Sequence, residues 1–152
     1  DSFLPAKLDE RIEVFEDRLG YIVGSGAIGY HNHGATGEND QARASYLALT
    51  KATRASEESF YIENTLSSAS LFCFSPDQST HTYQGMPSMG DSGGPLLFKS
   101  PEDDGSYLVA GIFHGGVFQK ALPASGGVGS TTSQWILVAP YIGWIKEKLS
   151  EI

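Results

Sequence analysis

The chain has 152 residues, a length that argues for one domain. Its 10 Lys and Arg stand against 18 Asp and Glu, a net charge of −8, which disfavours a general binder of nucleic acid or anionic membrane. With 40% apolar and only 18% charged residues it is too apolar for a disordered polymer. One cysteine, Cys73, excludes an internal disulfide and a multi-cysteine zinc site. No apolar run approaches the roughly 18 residues of a membrane-spanning helix. The chain opens on Asp1-Ser2 without an initiator Met, the beginning expected of a processed product.

In chain order, residues 1–20 read as a charged linker or arm, with a short strand or helical turn at Ile12–Phe15. A domain over 21–152 follows. Short β-type runs occur at Tyr21–Val23, Ser45–Thr50, Phe60–Ile62, Leu71–Phe74, Leu96–Phe98, Tyr107–Ile112 and Trp135–Val138. Clusters of Gly, Ser, Asn, Asp and Pro separate them, and His31–Gln41 and Pro123–Thr132 read as loops. That rhythm predicts an all-β barrel or sandwich. The end differs. Pro140 suits the first turn of a helix, and Ile142, Ile145 and Leu149 recur at helical spacing. This predicts one C-terminal helix packed on the barrel.

The stretch richest in chemistry is Gly90-Asp91-Ser92-Gly93-Gly94-Pro95-Leu96. It fits G-x-S-x-G, the nucleophile elbow of α/β-hydrolases. That elbow needs a helix after the serine, whereas Gly93, Gly94 and Pro95 lead into a strand and no βαβ pattern surrounds them. The alternative is a serine on a tight loop before a strand. Flanking glycines let the backbone approach a substrate closely. The amides of Gly90 and Ser92 then become candidates to converge on one oxygen, as an oxyanion requires. Asp91, if buried, needs a compensating cation.

These seven residues resemble the signature around the nucleophile of the trypsin/chymotrypsin-like serine proteases. Four further stretches look like parts of that family's second barrel: Tyr21–Gly26, the strand Leu71–Phe74, Gly111–Gly116, and Gln134–Val138 with the final helix. The resemblance covers about residues 20–150. It implies a chymotrypsin-like antiparallel β-barrel, the second of a double-barrel fold, with a C-terminal α-helix. It implies peptide-bond hydrolysis through an acyl-enzyme on Ser92, with the oxyanion held by Gly90 and Ser92. Asp91 would bind the α-amino terminus released by zymogen cleavage. No metal or cofactor is implied.

The resemblance also exposes a gap. The family's histidine and aspartate belong to a first barrel, and the residues before Ser92 account for one barrel and a linker. None of His31, His33, His81 and His114 sits in the family's histidine context. The chain then reads as the C-terminal half of a protease. Its partner is a separate N-terminal half, held non-covalently because no cysteine pair can join them. The rival reading is a non-catalytic, protease-like binding module.

For specificity the resemblance points to Met86, Met89, His114, Gly115, Gly116 and Ser133 around a polypeptide substrate. Met86 stands six positions before Ser92, where trypsin-like members carry an Asp, so Arg or Lys at P1 is not expected. His114 has two readings, recognition of an acidic P1 residue or a positioning or packing role. Ser88 replaces a common half-cystine, which leaves Cys73 as an expected free buried thiol. Family habit implies a secreted, extracellular or periplasmic protein.

Overall fold

The computed structural model describes residues 4–26, 28–30, 34–37, 46–65, 87, 90–120 and 128–152. Six antiparallel strands close into a barrel. They are β2 (Phe15–Gly24), β5 (Tyr46–Arg54), β6 (Tyr61–Thr65), β7 (Pro95–Lys99), β8 (Tyr107–Lys120) and β9 (Val128–Leu137). The hydrogen-bonded order is β8-β7-β2-β5-β6-β9, and β9 returns to β8 to close the cylinder. Outside it, β1 (Lys7–Leu8) pairs parallel with β8, and β3 (Ile28–Tyr30) pairs with β4 (Gly34–Gly37) as a separate ribbon. A 3₁₀ turn at Ala139–Tyr141 leads into the helix α1 (Ile142–Ser150). Among the described residues no helix is long and apolar enough to cross a membrane.

The alternation of each strand decides what fills the barrel. Ile22, Ala52, Ile62, Leu96, Phe98, Ala110, Phe113, Trp135 and Leu137 point inward and form one buried cluster. Closing six strands around so many large side chains leaves little room for the backbone itself. A Cβ at Gly111 would lie 2.8 Å from the Cβ of Trp135 on the neighbouring strand, so only glycine fits there without a shift.

The barrel begins earlier than the sequence predicts. β2 starts at Phe15, and residues 15–20 belong to the cylinder. Phe15 packs edge-on against Phe98, with ring centroids 5.4 Å apart. The Arg18 guanidinium lies over both rings, 4.3 Å from the centroid of Phe15. Ile12, expected in a strand or turn with Phe15, lies outside any regular element and is 63% exposed. The arm before it is tied down. Asp9 is buried, its N–H donates to the Val109 carbonyl at 2.9 Å, and its carboxylate receives Nε and Nη2 of Arg11 at 2.9 and 2.8 Å. The hydrogen bond to Asp9 holds the Arg11 pKa above its ordinary value.

Two loops of the sequence reading contain strand. Gly34–Gly37 pairs with β3, and Val128–Thr132 continues β9 because it pairs with the far end of β8. Glycine and serine there read as loop from composition, but pairing on β8 satisfies their backbone groups. The helix also differs from expectation. Ile142 is buried, but Leu149 is 63% exposed and Trp144 60% exposed. Only the start of the helix packs on the barrel; its outer face meets the arm through Lys146 and Glu10, whose charged atoms lie 3.1 Å apart. The predicted strand Leu71–Phe74 and Cys73 lie outside the described residues.

These contacts separate the energetic roles of arm and helix. Asp9→Ala removes a buried carboxylate and strands the Arg11 donors, so it is expected to lower the unfolding free energy by about 1–3 kcal/mol. Leu149→Ala is expected to change it by no more than about 0.5 kcal/mol. Urea denaturation of both variants checks the contrast.

Candidate active site

The loop carrying Ser92 is shaped by backbone geometry that only glycine tolerates well. Gly90 has φ of 94° and Gly93 of 84°, both in the left-handed region. Between them the chain folds back, and the Gly94 N–H donates to the Asp91 carbonyl at 3.0 Å. The loop is then clamped to β8 from both sides of one residue. The Gly93 N–H donates to the Phe113 carbonyl at 3.0 Å, and the Phe113 N–H donates to the Gly94 carbonyl at 2.8 Å. These two bonds extend the β7–β8 ladder, in which Pro95 faces Ile112, into the loop itself.

The clamp leaves adjacent side chains in opposite environments. Ser92 is exposed, whereas Asp91 is only 6% exposed. The Asp91 Oδ1 accepts the Gly26 N–H at 2.8 Å. The motif at Tyr21–Gly26 and the motif at Gly90–Leu96, far apart in sequence, therefore meet in a buried hydrogen bond as well as in the pairing of Ile22 with Leu96. Gly24 makes the approach possible, because a Cβ there would lie 2.0 Å from the same oxygen. The carboxylate for which sequence reasoning asks a cation is met here by this backbone donor.

Among the described residues, neither the N–H of Gly90 nor that of Ser92 has a hydrogen-bond partner, and the Ser92 hydroxyl has none. His114 is the one histidine among the described residues, and it does not hydrogen-bond to Ser92. It sits at a bulge, where β8 runs from Phe113, opposite Trp135, to Gly115, opposite Gln134. Its exposed ring stacks on Tyr61 of β6, with centroids 5.9 Å apart and planes at 27°. Gly116 then faces Ser133, which is fully buried and also faces Asn64. Gly115, Gly116 and Ser133, proposed from sequence for one pocket, thus occupy neighbouring positions on β8 and β9.

A polar group inside the barrel was not anticipated from the sequence. Thr50 and Asn64 are buried and joined by a hydrogen bond from the Asn64 amide to the Thr50 hydroxyl. With Ser133 they place three polar side chains in inward positions of β5, β6 and β9. The available signal was strand parity: Thr50 shares a face with Ala52, and Asn64 shares one with Ile62. Met86, Met89, Ser88, His31, His33 and His81 lie outside the described residues.

No protein-family model matches the chain, and no curated protein matches it.

The geometry around Asp91 has a direct test. Gly24→Ala drives a methyl group into the carboxylate and displaces it from the Gly26 N–H. The expected loss is about 2–4 kcal/mol of stability, combining overpacking with a broken charged hydrogen bond. Gly115→Ala, where a Cβ meets nothing within 4 Å, is expected to be nearly neutral. Chemical denaturation of the two variants distinguishes them.

Proposed function

We propose that this chain is the C-terminal half of a serine endopeptidase with Ser92 as nucleophile. The single observation that carries the reading is the Gly90–Gly94 loop, which presents Ser92 to solvent while burying the neighbouring Asp91. Glycines cost conformational entropy and bury little in return, so a loop built for packing alone gains nothing from them. The resemblance of these residues to the trypsin/chymotrypsin-like signature supplies the reaction class, and the closed antiparallel barrel is consistent with it.

The mechanism follows from the groups present. The Ser92 Oγ attacks a scissile carbonyl, and its proton passes to a histidine of a separate N-terminal half. The carbonyl oxygen becomes an oxyanion, for which the N–H groups of Gly90 and Ser92 are the donors. The histidine returns the proton to the departing amine, leaving an acyl group on Ser92. Water, activated by the same histidine, hydrolyses that ester and regenerates the hydroxyl. An aspartate of the partner half orients the histidine. Asp91 takes no part in proton transfer; its bond to Gly26 N–H sets the position of the loop. On this reading Met86, Met89, His114, Gly115 and Gly116 contact the substrate, Ser133, buried beside Gly116, backs that wall, and Met86 disfavours a cationic P1 residue.

A second reading, a protease-like binding module, draws on one observation: among the described residues no base hydrogen-bonds to Ser92. The two readings part in a labelling experiment. Protein purified from its native source is treated with a fluorophosphonate, and the adduct is mapped by intact mass beside Ser92→Ala. The expected result is an adduct on Ser92, absent from the variant, in material containing a bound chain that supplies the histidine. The isolated chain is expected to react slowly, since a serine nucleophile deprived of its histidine loses on the order of 10⁶ in kcat. Absence of labelling in a complex with such a chain would overturn the catalytic reading and leave the binding module.

A further inference from the structure

Trp135 is fully buried, and its indole Nε1 has no hydrogen-bond partner among the described residues. Buried N–H donors almost always have an acceptor, and where protein atoms do not provide one an ordered water does. A cavity of about 10 Å³ adjoins this indole. Trp135 and Phe113 line it together with Asp91 and Gly94 of the serine loop. That is about the volume one water requires, and too little for an organic ligand.

The side chains around the cavity are apolar, with two exceptions: the Trp135 indole N–H and the Asp91 carboxylate. They are complementary. The indole is a donor only, and an ionised carboxylate is an acceptor only, with about four lone-pair directions. The Gly26 N–H occupies one direction on Oδ1, and a carboxylate that holds more than one donor still has a lone-pair direction for a water. A water between the two groups accepts from the first and donates to the second.

We propose that a single buried water is held here, accepting from Trp135 Nε1–H and donating to the Asp91 carboxylate. Trp135 then acts as a positioning residue for the Gly90–Gly94 loop. It adds a tie on that loop to the Phe113 clamp and the Gly26 bond, and it links the loop to β9. The inference concerns the built site and stands apart from whether the chain hydrolyses peptides.

The test uses the ¹⁵N-labelled 152-residue chain and its two tryptophans. Trp144→Phe assigns the two indole resonances. Water-selective NOE and ROE spectra are then recorded. The expected result is a pair of cross-peaks of opposite sign between Trp135 Hε1 and water, the signature of a water that stays bound longer than the protein takes to tumble. Trp144 Hε1, 60% exposed, serves as the control for exchange with bulk. In folded Asp91→Asn the Trp135 Hε1 resonance is expected to move upfield, because a neutral acceptor polarises the bridging water less. If that variant does not fold, a crystal structure of the unaltered chain decides, with a water expected within about 3.2 Å of both Nε1 and an Asp91 oxygen. Absence of long-lived water cross-peaks at Trp135 in the folded protein, or electron density showing no such water, overturns the proposal.

Discussion

Strand β8 carries the hydrogen bonds on which both the barrel and the serine loop depend. Along one edge it pairs with β7, and along the other with β9, which closes the cylinder. At Phe113 the same strand turns from fold to site. Its side chain is buried in the core, while its backbone N–H and carbonyl hold Gly94 and Gly93. A shift of β8 by one residue would invert its inward and outward faces and release the loop together. The bulge after Phe113 absorbs the change of register that lets Gly116 face Ser133 without disturbing that clamp.

Burial of Asp91 is the second constraint. A carboxylate in the interior is unfavourable unless donors surround it, and here the segment just after β2 provides one from the backbone of Gly26. The demand propagates outward. Gly24 has to lack a side chain because the carboxylate occupies the space a Cβ would take. The glycines of the Tyr21–Gly26 stretch and those of the Gly90–Gly94 stretch are therefore parts of one arrangement. Charge burial on one side of the loop accompanies exposure of Ser92 on the other.

The barrel interior is finished differently from place to place. The Phe15 and Phe98 rings meet edge-on under the Arg18 guanidinium, an apolar contact covered by a cation. Elsewhere Thr50, Asn64 and Ser133 bring hydroxyls and an amide into the interior. Their burial is tolerated because polar partners are present, as the Asn64–Thr50 bond shows. The arm before β2 adds an ion pair between the buried Asp9 and the half-buried Arg11, and a main-chain bond to Val109, so it is held against the outside of the barrel.

Much of this molecule was legible in the order of its residues. The alternation of Leu96 and Phe98, or of Trp135 and Leu137, marks strands with one buried face, because a period of two is a local property. The glycines around Ser92 mark a tight loop for the same reason, and the observed positive φ at Gly90 and Gly93 bears out that reading. What remained hidden were relations between distant segments. Local pattern could not show that Phe15 begins a barrel strand, that Val128–Thr132 pairs with β8, or that Leu149 faces solvent despite its helical spacing. Nor could it show that Asp91 finds its donor at Gly26, or that His114 lies on a bulge against Tyr61. Periodicity records which way a side chain points from its own backbone; only closure of the six strands decides what it meets there, because that depends on register and on space shared between strands far apart in the chain.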